Sequence, residues 1–239
     1  MTILALKNVS KNYGALKVTQ DVSFTLDKGE ALGVIGPNGA GKSTLFNLIT
    51  GNVLVDAGQI EFDGRDVTRE NPMARCLAGV GRTFQIPQPF DKLTVFENLV
   101  VAGAFGSSAS ESDVTGRCAD ILEQTGLGPR ANDLAGGLSL LQRKRLELAR
   151  ALATEPKLLL LDEIAGGLTE GECVQLVDTV KSVHATGVSI VWIEHVLHAL
   201  TSVVTRLLVL DFGKVIGIGE PDEIMNSKAV REIYLGIDV

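Results

Sequence analysis

The 239-residue sequence predicts an α/β fold whose middle is interrupted by a helical lobe, and three observations carry that prediction. A short, almost wholly apolar run, "ALGVIG" (31–36), leads through a glycine-rich turn into the helical pattern "KSTLFNLIT" (42–50). Two later runs, "KLLLLDE" and "VSIVWIEH", have the same apolar character and flank a helical stretch at 169–185. From Pro87 to about Leu152 the pattern is helical throughout, broken by "GAFGSSAS" and "TGLGP". Strands this short and this apolar are of the kind buried on both faces, and their alternation with helices marks an α/β core.

The elements follow in order. "ILALKNV" (3–9) and "VTQDVSFTL" (18–26) read as strands, the second placing Val18, Val22, Phe24 and Leu26 on one side of the pleat. The helix at 42–50 ends at Gly51, a natural C-cap. "QIEFDG" is a strand entering a turn, and "GVGRTFQ" (79–85) is another, closed by Gln85. "LSLLQRKRLELARALA" (138–153) is an amphipathic helix with Ser139 in the capping position. "LLVLDFGKVIGIGE" predicts a hairpin around Asp211–Gly213, followed by helical "PDEIMNSKAVREIYLG". There is no internal repeat and no low-complexity segment.

Composition narrows the class. A hydrophobic content of 45% supports a substantial core, and 26 glycines imply many tight loops. The net charge of −7, with no long basic run, argues against nucleic acid as a partner, because phosphate backbones demand clustered Lys and Arg. Cys76, Cys118 and Cys173 are scattered without CxxC spacing and read as reduced thiols of an intracellular protein. The start "MTILALKNVSKNYG" has no signal-like pattern. No segment reaches the roughly 18–20 apolar residues of a membrane span; "SVVTRLLVL" is short and interrupted by Arg206.

The chemistry starts at "GPNGAGKST", which fits G-x-x-x-x-G-K-[ST] through Gly36, Gly41, Lys42 and Ser43. Such a loop wraps a phosphate in backbone N–H groups at a helix N-terminus, with Pro37, Asn38, Gly39 and Ala40 forming the wrap. Gly39 and Gly41 let the main chain come close, Lys42 reaches the β- and γ-phosphates, Ser43 offers its hydroxyl to Mg²⁺, and Thr44 adds its N–H near the α-phosphate. By chance this match arises on the order of once in a hundred chains of this length. The second anchor is Asp162, delivered to the C-terminal end of the "LLLL" strand, where α/β sheets bind ligands. It suits Mg²⁺, and Glu163 beside it suits an attacking water. Gln85 and His195 stand at the ends of their own strands, each able to reach the γ-phosphate, the water or the metal.

The ordered set of Tyr13, "GPNGAGKST", Gln85, Ser139, "LLLLDE" and His195 resembles the ATP-binding subunit of ABC transporters over nearly the whole chain. "GRTFQ", "LTVFENL", "LELARALATEPKLLLLDE", "IEHV" and the terminal "YLG" are similar to the importer ATPases for branched-chain amino acids and related solutes such as urea or carboxylates. The resemblance implies a P-loop NTPase (RecA-like) core with an N-terminal antiparallel β subdomain and an inserted helical subdomain. Residues 1–86 and 151–239 would form the β subdomain and core, and 87–150 the helical insertion, in a single ATPase domain. It implies ATP and Mg²⁺ as cofactors, with Ser43, Gln85 and Asp162 at the metal. Tyr13 would stack on adenine, Glu163 polarise the water and His195 hold the γ-phosphate. It also implies a head-to-tail pairing with a second ATP-binding subunit, in which Ser139 and Gln142 face the partner's nucleotide. Transmembrane permease subunits would seat on the helical lobe at the cytoplasmic face of the cell membrane, and a solute-binding protein would act indirectly.

Two departures stand out. The family's signature reads LSGGQ, or LSYGQ in the nearer relatives, whereas here it is Leu138-Ser139-Leu140-Leu141-Gln142. Leucine in place of glycine puts an isobutyl group where a phosphate should approach, which predicts a weakened signature and a non-identical partner, with a homodimer as the alternative. Gly136 and Gly137 just upstream would supply glycines only by shifting the spacing to Asp162. After Glu163, Ile164 replaces the usual proline and Thr169 stands at the usual aspartate. Two other functions compete: a soluble, non-transport ABC ATPase, which usually has coiled coils or two ATPase domains, and a regulatory nucleotide binder with little turnover. A small GTPase is disfavoured by the absence of N-K-x-D.

Overall fold

The computed structural model describes residues 1–107 and 110–235; Ser108 and Ala109 of "GAFGSSAS" and Gly236 of "YLG" lie outside them. The described chain divides into two units, one of residues 1–72 and 189 onward, the other of residues 73–188.

The first unit opens with β1 (Thr2–Tyr13), β2 (Leu16–Asp27), β3 (Ala31–Ile35), α1 (Lys42–Thr50), β4 (Ala57–Phe62) and β5 (Arg65–Asp66). β2, β1, β4 and β5 lie side by side in that order as an antiparallel sheet, with Leu6 opposite Phe24 and Leu4 opposite Phe62. The predicted face of β2 needs one correction. Asp21 sits at φ +52 where the β1–β2 register shifts, so the alternation slips by one residue. Val22, Phe24 and Leu26 are buried as expected, but Thr19 takes the next inward position and Val18 is only half-buried.

β3 is buried at all five residues, and α1 follows it directly, ending at Gly51 in the left-handed conformation (φ 77) that a C-cap favours. The second unit then takes over with α2 (Pro72–Ala78), β6 (Val80–Arg82), α3 (Val95–Gly106), α4 (Glu111–Gln124), α5 (Leu140–Ala153), β7 (Leu158–Asp162) and α6 (Glu170–His184). The chain re-enters the first unit through β8 (Ser189–Ile193), α7 (Leu197–Thr201), β9 (Arg206–Asp211), β10 (Lys214–Gly219), α8 (Pro221–Asn226) and α9 (Lys228–Leu235). In the first unit β3 pairs in parallel with both β8 and β9, and β9 turns back antiparallel into β10 through Phe212 and Gly213. That is the predicted hairpin. In the second unit β6 and β7 pair in parallel, Gly81 opposite Leu159.

Three further expectations are adjusted. Helix α2, which the hydrophobic pattern does not reveal, starts on Pro72, where a missing N–H costs nothing, and turns Arg75 fully inward. The strand predicted at 79–85 stops at Arg82, and β8 stops at Ile193, so neither Gln85 nor His195 closes a strand. The predicted C-terminal helix is two helices, separated by Ser227 in an extended conformation.

α6 is capped by Thr169, whose hydroxyl accepts from the Glu172 N–H while Glu172 reaches back to the Thr169 N–H. The substitution of threonine for aspartate there keeps a competent cap. Among the described residues, no helix is long and apolar enough to cross a membrane.

Candidate functional site

In the first unit, β3 delivers the chain into residues 36–41. Gly41, the N-cap of α1, has φ 101, and a Cβ there would stand 2.5 Å from the Val18 carbonyl oxygen. Glycine is therefore required by the close approach of β2 as well as by backbone geometry. Gly39 (φ 84) is also left-handed, but open space lies where its Cβ would be. Lys42 is buried, and its ammonium donates to the carbonyls of Gly36 (2.7 Å) and Pro37 (3.0 Å), which curls the loop around its own lysine. Asn38 and Gly39 face outward, Ala40 is buried, Ser43 is exposed on the first turn of α1, and Thr44 is half-buried. The hairpin turn grips this loop: the Gly213 N–H donates to the Ala40 carbonyl at 3.0 Å. Gln20 in turn holds the hairpin, its N–H on Gly213 O and its side-chain amide on Phe212 O, both at 2.8 Å. Tyr13 is 48% exposed at the end of β1, with the Lys11 ammonium 5.7 Å from its ring centroid.

His195, also in the first unit, is exposed, two residues beyond β8. The residue before it, Glu194, is buried and folds its carboxylate onto the N–H groups of His195 (2.9 Å) and Val196 (3.3 Å). That local turn pulls the chain out of the strand and fixes the histidine's backbone. Glu194 was not singled out by sequence.

In the second unit, β7 ends in Asp162, which is buried, and Glu163, which is half-buried and held at φ +48. A glutamate in the left-handed region is uncommon and marks a position under local constraint. Gln85 lies in a bend three residues past β6, where its side-chain amide donates to the Glu163 carboxylate at 2.5 Å. Asp162 pairs with Arg82 on the neighbouring strand at 2.8 Å, the two side chains 9% and 10% exposed, and its N–H donates to the Thr83 hydroxyl.

Helix α5 holds the segment that carries Gln85. Lys144, 4% exposed, donates from its ammonium to the Gln85 carbonyl (2.6 Å) and the Glu163 carbonyl (3.2 Å). One turn on, the buried Glu147 accepts from the N–H groups of Phe84 and Gln88; burial pushes its carboxyl above the usual range, while Arg150 and those N–H groups oppose the shift. Arg150 donates to the Gln88 carbonyl (2.9 Å) and lies 5.3 Å from the Phe90 ring centroid. Lys144 and Glu147 are not marked in the sequence, because charged residues at helical spacing ordinarily mean a solvated face, and Arg82 at the end of β6 is equally unmarked.

At the start of α5, Ser139 and Gln142 form a capping box with each other, the Ser139 N–H donating to the Gln142 amide oxygen at 3.0 Å. The two leucines between them part company. Leu141 is 8% exposed, whereas Leu140 is 45% exposed. Only Leu140 thus stands at the helix mouth, and the expectation of an intruding group at 141 is corrected. Gly136 and Gly137 belong to a separate 3₁₀ turn, with the Gly136 carbonyl taken by Arg143, and contribute nothing to this helix end.

The first unit offers the Ser43 hydroxyl, and the second the Asp162 carboxylate and the Gln85 amide oxygen; each is a hard oxygen donor of the kind Mg²⁺ accepts.

The model of the ABC transporter family matches residues 19–166, which include the phosphate loop, Gln85, Ser139 and the Asp162–Glu163 pair. The chain belongs to the ABC transporter family. It is an ATP-binding subunit with the ABC ATPase fold, and an ATPase. It is 34% identical over 253 residues to a probable branched-chain amino acid transport ATP-binding protein, LivG, of Methanocaldococcus jannaschii, covering 99% of this chain and 98% of that one. It is 32% identical over 236 residues to the lipopolysaccharide export system ATP-binding protein LptB of Haemophilus influenzae, covering 99% and 98%. Among solved structures, a nucleotide-free ATP-binding cassette from an ABC transporter superposes with a TM-score of 0.91 at 33% identity, covering 99% of this chain and 100% of that one. An ATP-binding cassette of an ABC transporter in its ADP conformation gives 0.90 at 34% identity, with the same coverage.

Proposed function

We propose that this ABC ATPase powers uptake of a small solute, a branched-chain amino acid or a related compound, through separate permease subunits at the cytoplasmic face of the membrane. The observation that carries the hydrolytic part is the 2.5 Å contact of Gln85 with the carboxylate of Glu163, a glutamate held in a left-handed backbone conformation. A carboxylate constrained in that way is prepared to orient a water for attack on a γ-phosphate. In this reading Lys42 and the amides of residues 36–41 hold the β- and γ-phosphates, Thr44 assists, and Tyr13 stacks on adenine. Ser43, Asp162 and Gln85 would hold Mg²⁺, which would supply neutralisation of charge on the transferred phosphoryl group. Glu163 orients the water, His195 steadies the γ-phosphate end, and Ser139 with Gln142 face the nucleotide of a second ATP-binding subunit. The whole chain acts as one ATPase domain with 87–150 as its helical insertion, and a solute-binding protein delivers cargo from outside.

The exposed Leu140 at the signature supports a non-identical partner, because the partner's phosphate meets an isobutyl group there; the buried Leu141 limits that obstruction to a single residue. The solute reading is supported by the similarity to LivG and by the motifs "GRTFQ" and "IEHV". The similarity to LptB favours a second reading, an exporter of a lipid-linked substrate. Co-purification from the native membrane, followed by reconstitution, separates the two. Import is expected to show a solute-binding protein, uptake into vesicles that depends on ATP, and loss of most turnover with Glu163→Gln. Extraction of lipid with no uptake would overturn the import reading, and a Glu163→Gln complex as active as the parent would overturn the assigned chemistry.

A further inference from the structure

We infer that Lys144 is the positioning residue for Glu163, closing a ring of three contacts that ties the signature helix to the hydrolytic carboxylate. The inference rests on the reading of Glu163 as the residue that orients water. The ring stands wholly within the second unit: the Lys144 ammonium donates to the carbonyls of Gln85 and Glu163, and the Gln85 side chain closes it on the Glu163 carboxylate. A buried ammonium is costly to desolvate unless oxygens satisfy its donors, and these two main-chain carbonyls are among the partners of Lys144.

The consequence is mechanical. Glu163 has an unfavourable backbone conformation, which persists only where the surroundings determine it. Lys144 pulls on that residue's own carbonyl, immediately after its φ/ψ pair. The same ammonium sets where Gln85 leaves β6, and hence where its amide meets the carboxylate. Glu147 and Arg150, on the same face of α5, add N–H and carbonyl contacts on either side of Gln85, so the segment follows the helix as a unit. A shift of α5 at its Ser139 end therefore reaches Glu163 through one side chain. Lys144 itself need touch neither nucleotide nor water.

The test uses the full chain assembled with its membrane subunits. Lys144→Met should lower kcat for ATP at least about tenfold with KM for ATP changed less than about twofold, since phosphate binding lies with Lys42. Lys144→Arg, which can still donate to both carbonyls, should recover most of kcat. In the Glu163→Gln background, adding Lys144→Met should cost less than about twofold more, because the group it positions is already gone. Should the methionine variant fail to fold, Lys144→Gln, whose amide reaches only one carbonyl, is expected to give the same kcat-selective loss. Equal rates for Lys144→Met, or for Lys144→Gln where it replaces it, and the parent would overturn the inference. So would losses that multiply fully with Glu163→Gln, or a rise in KM that accounts for the effect. A Glu163→Gln complex with normal turnover would instead sink the underlying reading of Glu163.

Discussion

Replacing Arg82 with methionine removes one half of a buried ion pair and leaves the other. Arg82 meets Asp162 at 2.8 Å with both side chains about nine-tenths buried. At an effective dielectric of about 20 and a charge separation of about 4 Å, their attraction is about 4 kcal/mol. That attraction offsets the desolvation of two ions, so the pair adds little net stability over an apolar pair of similar volume. Breaking it is different: a carboxylate is left buried without its cation, and the expected loss is about 3–5 kcal/mol. Arg82→Met combined with Asp162→Leu should lose clearly less than Arg82→Met alone. Urea unfolding read by far-UV circular dichroism measures this. A loss below about 1 kcal/mol for Arg82→Met, or an equal loss in the double variant, would refute the reasoning.

Gly41→Ala places a Cβ 2.5 Å from the Val18 carbonyl at a φ of 101; it should lower stability by more than about 1 kcal/mol and weaken binding of a fluorescent ATP analogue at least tenfold. Ser139→Ala removes a cap whose hydroxyl accepts from the Gln142 N–H at a long 3.4 Å, so the loss in urea unfolding should fall at the low end, about 0.5–1 kcal/mol. Burial raises the Glu147 carboxyl, so the native state keeps a proton that the unfolded chain releases. The stability linked to this group is therefore whole at acid pH and declines as pH rises past the ordinary glutamate range toward the raised native value. Glu147→Gln should flatten that decline in a pH series of urea midpoints.

The phosphate loop, the helix it feeds and the Leu158–Asp162 strand were legible because each is written in consecutive residues: glycines at fixed offsets, an apolar run, a C-cap at Gly51. The face of β2 beyond Asp21 was not, since a single left-handed residue resets an alternation that pattern reading assumes continuous. Gln85 and His195 were found by type and order, yet misplaced onto strands, because what ends those strands is side-chain capture. Lys144 takes the Gln85 carbonyl from 59 residues away, and Glu194 turns onto its own following amides. Arg82 reaches Asp162 across 80 residues, and no local signal distinguishes that arginine from a solvated one. Leu141 shows the converse limit: its identity was read correctly as an anomaly, but only packing reveals that it points away.

The grip of the hairpin on the loop beneath it has a thermodynamic corollary. Because Gly213 holds the Ala40 carbonyl and Gln20 holds the hairpin, the main chain around residues 36–41 is ordered by the fold itself. Freezing a backbone residue costs roughly 1–2 kcal/mol, and here folding has already met that charge. On the proposed reading, an arriving triphosphate meets a main chain already largely ordered, and the reorganisation left to it is the exchange by Lys42 of the Gly36 and Pro37 carbonyls for phosphate oxygens.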